Sequence, residues 1–132
     1  MKRFLVVDDD APSRELLGDT LSELASCDTA ENGEAGIEMY KKAVLAGVPY
    51  DLVCTEICMA GMNGHAFVQN IWGCESPHKP RVFVITASND AMDMSQALLN
   101  NDCDEYILKP FRAESLKTLL RKYKLIDNDT TH

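Results

Sequence analysis

The stretch Phe4-Leu5-Val6-Val7-Asp8-Asp9-Asp10 places three consecutive carboxylates directly after a short apolar run. Four apolar residues in a row predict a β-strand, and Pro12 is suited to the first turn of a helix that follows it. Leu17, Leu21 and Leu24 then recur at helical spacing. This order of strand, acidic turn and helix is typical of an α/β protein.

The same alternation of strand and helix continues along the chain. Apolar β-type runs predict four further strands, which are residues 27–30, 52–56, 81–87 and 105–109. Helical spacing predicts four further helices. The first three begin near residues 33, 64 and 90, the third of them ending near residue 99, and the last carries Leu116, Leu119, Leu120 and Tyr123 on its inner face. We therefore predict an α/β fold in which five helices doubly wind a five-stranded parallel sheet.

Composition limits the classes of protein to consider. The chain has 132 residues, 45% of them hydrophobic, which predicts one domain over residues 1–126 and a flexible tail at 127–132. Its 13 basic and 21 acidic side chains give a net charge of −8, which argues against a nucleic-acid partner. No apolar run approaches the ~18 residues of a membrane span. Five scattered cysteines favour reduced thiols and a cytoplasmic location.

Polar residues of complementary types follow the predicted strands. Asp8, Asp9 and Asp10 follow the first, while Glu56, Thr86 and Lys109 end three others. Each has an ordinary structural explanation by itself, as a helix cap, a β-former or a solvated strand end. Because the carboxyl ends of parallel strands meet at one edge, together they predict a site. Clustered carboxylates suit Mg²⁺, and the ammonium and hydroxyl opposite them suit phosphoryl-like oxygens.

These residues sit in segments that carry a family resemblance over about residues 3–124. The segments fall at family order and spacing, and they are Phe4–Asp10, Glu31–Glu34, Tyr50–Val53, Gly61–Gly64, Ile85–Ala87 and Tyr106–Phe111. The chain resembles the receiver domain of two-component response regulators, including single-domain chemotaxis regulators. The resemblance implies a flavodoxin-like fold with strand order 2-1-3-4-5.

The resemblance also implies roles for individual residues. Asp8 and Asp9 would be the acidic pair, with Asp9 touching Mg²⁺, and the backbone carbonyl of Cys58 would be a further metal ligand beside Glu56. A weakly bound Mg²⁺ is therefore the implied cofactor.

Three residues on the opposite side of the site complete the family pattern. Thr86 and Lys109 would contact the phosphoryl group, and Tyr106 would act with Thr86 as an aromatic switch. Ala87 is small, so we expect it to leave the pocket accessible.

The central position departs from the family pattern. Glu56 stands where the family has the phosphate-accepting aspartate, and Asp51 begins the same strand too far away to replace it. Ala60 replaces the proline of the family's Met-Pro-Gly loop. A displacement of ~1 Å can cost about a hundredfold in rate, so we expect impaired phosphorylation. Two outcomes stay open: Glu56 imitates the phosphorylated state and makes the domain constitutively active-like, or the domain is an inert scaffold.

We therefore expect a phosphorelay signalling domain that is not an enzyme. It would act by binding a partner protein, a sensor histidine kinase or a downstream signalling protein, through the face around Tyr106. The chain ends soon after its last helix, so we expect a stand-alone domain without an output domain. Leu119 stands where many DNA-binding members carry a dimer-forming arginine, which favours a monomer or weak dimer.

One enzyme class offers an alternative. Asp8 and Asp10 form the Asp-x-Asp pair of a haloacid-dehalogenase-type phosphohydrolase, with Thr86 and Lys109 in supporting positions. That family also needs an acidic pair after a later strand, whereas Asp102 and Asp104 precede one.

Overall fold

The computed structural model describes residues 2–88, 90, 92, 94–95 and 103–127. These residues form a parallel five-stranded sheet with the order β2-β1-β3-β4-β5, which confirms the predicted sheet and its order. The strands are β1 (Arg3–Val7), β2 (Ser26–Ala30), β3 (Leu52–Thr55), β4 (Arg81–Thr86) and β5 (Glu105–Leu108). The helices are α1 (Ala11–Ser22), α2 (Gly33–Leu45), α3 (Gly64–Gly73) and α4 (Ala113–Lys122).

The number of helices differs from the prediction. The described part of the chain contains four helices, one fewer than the five predicted. The predicted helix over about 90–99 falls mostly on residues outside the described ones, as does the predicted tail beyond residue 127.

Strand register decides where the site forms. Val7 pairs with Thr55, and Thr86 pairs with Leu108, at the carboxyl ends of their strands. We predicted that Glu56 and Lys109 end their strands, but each follows its strand by one residue. The backbone leaves the ladder there, which frees both side chains to turn toward the edge of the sheet.

Two apolar layers hold the sheet rigid. On one face Phe4 and Val6 pack with the buried leucines of α1 and α4, and on the other Leu5 and Val7 pack against α2 and α3. All four of these β1 residues are fully buried, as expected for a central strand covered on both faces. The loops that carry the site therefore start from a closely packed platform.

Three helices begin with a side-chain cap soon after a strand or loop. Asp10, Asn32 and Asn63 each accept a hydrogen bond from the backbone N–H three residues later. Such caps satisfy an amide that the helix itself leaves without a partner. They set the point at which each loop becomes helix.

The environment of the cysteines differs from one residue to the next. All five lie within the described residues and none forms a disulfide. Cys54 is buried and Cys58 is exposed, whereas the other three are half-buried. In the part of the chain that is described, no helix combines the length and apolar character needed to cross a membrane.

Candidate functional site

Two carboxylates and one ammonium meet at the carboxyl edge of the sheet. The Nζ atom of Lys109 lies 2.8 Å from Asp8 Oδ2 and 3.0 Å from Glu56 Oε1. Asp8 and Glu56 are only 3% and 7% exposed. Because one ammonium compensates two carboxylates, the cluster keeps a net negative charge.

The surroundings of Lys109 favour its charged form. Burial lowers the pKa of Lys109, but hydrogen bonds to Asp8 and Glu56, together with their charges, outweigh it. The pKa of Lys109 therefore lies above its ordinary value. At neutral pH the site contains a fixed internal cation.

The other oxygen of Glu56 is held by the loop that follows it. Glu56 Oε2 accepts a hydrogen bond from Ile57 N at 2.8 Å and a long one from Cys58 N at 3.4 Å. The carboxylate is thus bent back over its own loop while Oε1 faces Lys109. Both oxygens have protein partners.

A glycine allows this loop to turn. Gly64 N donates to Ile57 O at 2.8 Å, and a Cβ atom on Gly64 would lie 2.3 Å from Glu56 O. No real Cβ atom approaches an oxygen so closely, so the backbone around Glu56 depends on glycine at position 64.

Asp9 takes a different partner from Asp8 and Glu56. Its side chain is exposed, and Oδ2 accepts a hydrogen bond from Ala60 N at 3.0 Å. Within the described ranges, no group of three or more histidine, cysteine or acidic side chains is arranged to hold a metal ion. The structure brings Asp8, Glu56 and Lys109 together, whereas the side chain of Asp9 bonds the loop that carries Ala60.

Asp10 contributes to the helix rather than to the cluster. Its Oδ2 accepts a hydrogen bond from Ser13 N at 3.0 Å, and Ser13 holds the pKa of Asp10 below its usual value. Asp8 is steadied from the same segment, since Asp10 N donates to Asp8 Oδ1 and Arg14 donates to Asp8 O.

Thr86 and Tyr106 are linked through one intervening residue. Thr86 is fully buried, and its hydroxyl oxygen accepts a hydrogen bond from Ser88 N at 3.1 Å. The half-buried Tyr106 donates its hydroxyl to Ser88 O at 3.0 Å. Lys109 N donates to Thr86 O at 2.8 Å, so the backbone of the cluster's cation is tied to the same chain of contacts.

The family model described as "Response regulator receiver domain" matches residues 4–121. The chain belongs to the response regulator receiver family. It is therefore a two-component signalling domain of the type seen in chemotaxis regulators.

Curated relatives of the receiver family are similar over nearly the whole chain. The probable C4-dicarboxylate response regulator DctR of Bacillus subtilis is 31% identical over 125 residues, which are 92% of this chain and 52% of DctR. The chemotaxis protein CheY-3 of Vibrio cholerae is 32% identical over 125 residues, 91% of this chain and 89% of CheY-3. The chain thus spans about half the length of DctR and most of CheY-3.

A solved structure of the family contains a metal. The response regulator TrrA of Thermotoga maritima, in complex with Mg²⁺-BeF, is 34% identical with a TM-score of 0.73. The match covers 93% of this chain and 99% of TrrA. In the present chain Asp8 and Glu56 already share one cation, the Lys109 ammonium, and their oxygens are the ligands that Mg²⁺ prefers. The carboxylate oxygens therefore suit Mg²⁺ in type, while the described residues do not gather three acidic side chains around one ion position.

The hydrolase alternative has no support from these findings. The family match covers the segments that it would use, and Asp10 caps α1 instead of facing the cluster. An exposed carboxylate bound to Ser13 N is poorly placed as the general acid that such a hydrolase needs.

A cavity opens beside the cluster. It has a volume of about 360 Å³ and lies between α1 and residues 109–111, with Ala87 and Lys109 in its wall. Ala87 is exposed, which agrees with the expectation that a small residue here leaves the pocket accessible.

Three contributors to the site were not predicted. The amide of Ala60 and the carbonyl of Ser88 are backbone groups, which every residue type carries and which therefore leave no sequence signal. Arg14 was also overlooked. A cation one turn into the helix after the acidic run is the signal that could have identified it.

Proposed function

We propose that this chain is a receiver domain in which Glu56 is not an efficient phosphoryl acceptor and the site is held by an internal ion pair. The observation that carries the proposal is the contact between Glu56 and Lys109 at 3.0 Å. Such a domain would signal by binding a partner protein, and this binding would not depend on phosphorylation.

The acceptor carboxylate is poorly placed for attack. Glu56 is one methylene longer than aspartate, Oε1 is paired with Lys109, and Oε2 accepts from Ile57 N. A nucleophilic oxygen must give up such partners and align with the donor, and an error of ~1 Å costs about a hundredfold in rate. Phosphorylation of Glu56 would therefore be slow.

Glu56 would imitate a phosphorylated aspartate only in part. It engages Lys109, but the Thr86 hydroxyl accepts its hydrogen bond from Ser88 N. The carboxylate carries a single negative charge, so its interaction free energy differs less between the inactive and active conformations than that of a phosphoryl group does. We expect a partial population shift, transmitted through Lys109 N to Thr86 O and from Ser88 to Tyr106.

The residues proposed to hold Mg²⁺ are Asp8, Asp9, Glu56 and the backbone carbonyl of Cys58. When bound, the ion would neutralise oxygens of a phosphoryl group or its analogue. Binding would be weak, because Asp8 Oδ2 and Glu56 Oε1 must release Lys109.

The partner surface is proposed to lie around Tyr106 on β5 and α4. Leu108 is 43% exposed there, and a cavity of about 240 Å³ lies between β5, residues 110–112 and α4. The proposed partner is a sensor histidine kinase or a downstream signalling protein of the cytoplasm. The domain itself would catalyse no turnover of a substrate.

Labelling with a small phosphodonor tests the proposal. Wild type, Glu56→Asp and Glu56→Gln are incubated with acetyl phosphate and Mg²⁺, and intact mass is measured. We expect a phosphoryl adduct on Glu56→Asp alone, because only the acceptor is limiting. An adduct on wild type would overturn the proposal. A folded Glu56→Asp protein without an adduct would show that another part of the pocket is deficient.

A further inference from the structure

We propose that Ala60 is a positioning residue that weakens metal binding, because its backbone N–H occupies the Asp9 oxygen that a bound cation would use. The proposal rests on the proposed function only in that it concerns the same carboxylate site. It assigns a role to a position whose side chain is a single methyl group.

The contact joins two loops at the rim of the site. Ala60 N lies 3.0 Å from Asp9 Oδ2, although 51 residues separate them in the sequence. Asp9 is the second residue after β1, and Ala60 lies in the loop between β3 and α3. Both residues are exposed, so water and ions reach this hydrogen bond.

The direction of the Ala60 amide is set by the loop and not by its own side chain. Met59 before it is buried, and Gly61 after it has a φ of +77°, a conformation that favours glycine. On the strand side, Ile57 N and Cys58 N are fastened to Glu56 Oε2. The amide at position 60 therefore points at Asp9 for any residue that has an N–H.

Each of the three carboxylates at this edge already has an internal partner. Asp8 and Glu56 share Lys109, and Asp9 has the Ala60 amide. A hydrogen bond to an ionised carboxylate is among the stronger ones in proteins, even at a partly wet site. A metal that takes Asp9 Oδ2 as a direct ligand must therefore compete with the Ala60 N–H for that oxygen, and apparent affinity falls accordingly.

Proline is the one residue that removes this donor, because its ring nitrogen carries no hydrogen. Glycine keeps the N–H and removes only the methyl group, which makes Ala60→Gly the matched control. A role of the methyl group and a role of the amide are thereby separated at one position.

The test is a titration of wild type, Ala60→Pro and Ala60→Gly with Mg²⁺. Calorimetry and the backbone amide chemical shifts measure the binding. We expect Ala60→Pro to bind Mg²⁺ about three- to tenfold more tightly than wild type, and Ala60→Gly to match wild type within about twofold. Thermal unfolding establishes that each variant is folded. Equal affinity of folded Ala60→Pro and Ala60→Gly would overturn the proposal.

A second measurement on wild type keeps the proposal testable if the proline variant does not fold. Without metal, the Ala60 amide should exchange slowly with solvent, and Asp9→Ala should speed its exchange. Saturating Mg²⁺ should likewise speed the exchange of the Ala60 amide in wild type. If Mg²⁺ binds and exchange at Ala60 does not rise, the proposal falls while the metal site stands. If no variant binds Mg²⁺, the metal site of the proposed function falls too, whatever the exchange data show.

Discussion

Lys109 and Glu56 are 53 residues apart in the sequence, and their side chains meet at 3.0 Å. Lys109 also reaches Asp8, so the cation that would meet a phosphoryl group is already bound to two carboxylates. The resting site is thereby neutralised from within, except for one negative charge and the nearby Asp9.

Removing the ammonium should destabilise the fold. Lys109→Met leaves two buried carboxylates facing each other, and we expect a loss of about 2–3 kcal/mol in unfolding free energy, reduced from the cost of a fully buried pair by partial solvent access. Lys122→Met is the control, because its ion pair with Glu105 lies on the surface and should matter little. Urea unfolding measures the loss of unfolding free energy in each variant relative to wild type. Equal effects of the two substitutions would contradict the prediction.

The same ion pair should make stability depend on pH at the alkaline end. Burial lowers the pKa of Lys109, but Asp8 and Glu56 raise it above its ordinary value. Such a group stabilises the fold fully below its unfolded pKa of about 10.4, and the stabilisation disappears as pH rises through the folded pKa. The difference between wild type and Lys109→Met should therefore stay level from about pH 7 to 10 and shrink above. Unfolding measured across this range would refute the prediction if the difference shrank by pH 9.

Neutralising Glu56 should change the conformation and dynamics of Tyr106. Glu56→Gln keeps the size and removes the charge, so the pKa of Lys109 should fall toward its ordinary value. Through Lys109 N, Thr86 O and Ser88, we expect altered chemical shifts and dynamics of the Tyr106 ring, and altered partner affinity. Side-chain NMR follows both residues, with Glu105→Gln as the control. If Tyr106 and partner affinity stay as in wild type, Glu56 is a tolerated change in a scaffold.

Gly64 should tolerate no side chain. In Gly64→Ala the new Cβ would lie 2.3 Å from Glu56 O, so the loop must move, and we expect a loss above about 2 kcal/mol. Gly73→Ala, at the end of the same helix, meets nothing within 4 Å and should be neutral or stabilising by up to about 1 kcal/mol. Thermal and urea unfolding compare the two. A stable Gly64→Ala protein would mean that the loop is more adaptable than its contacts indicate.

The cysteines should differ widely in reactivity. Burial, aided by Asp28, raises the pKa of Cys27 to about 11, so about 0.1% of it is thiolate at pH 8. Cys54 is fully buried, whereas Cys58 is exposed. We expect a thiol reagent to modify Cys58 first, Cys27 slowly and Cys54 only on unfolding, as read by peptide mass mapping. Early labelling of Cys54 would contradict the packing of β3.

Much of the site could be predicted from the sequence because a parallel sheet translates sequence position into place. An apolar run predicts a buried strand, and the residue after it must lie at the carboxyl edge. Asp8, Glu56 and Lys109 were placed together in this way, and the structure brings them within hydrogen-bonding distance. That a glutamate is unusual there followed from the family resemblance, whose spacing marks position 56 as the phosphate-accepting aspartate.

Which partner each group takes depends on distances of a few ångströms between separate loops, and residue types do not encode those distances. Asp9 and Asp10 follow Asp8 directly, yet Asp9 bonds the Ala60 amide and Asp10 caps α1. Neighbouring carboxylates are chemically alike, so their roles separate only when the turn after β1 points each one at a different donor. A backbone amide exists at any non-proline residue, and that of Ala60 became part of the site because the loop after β3 brings it within 3.0 Å of Asp9 Oδ2.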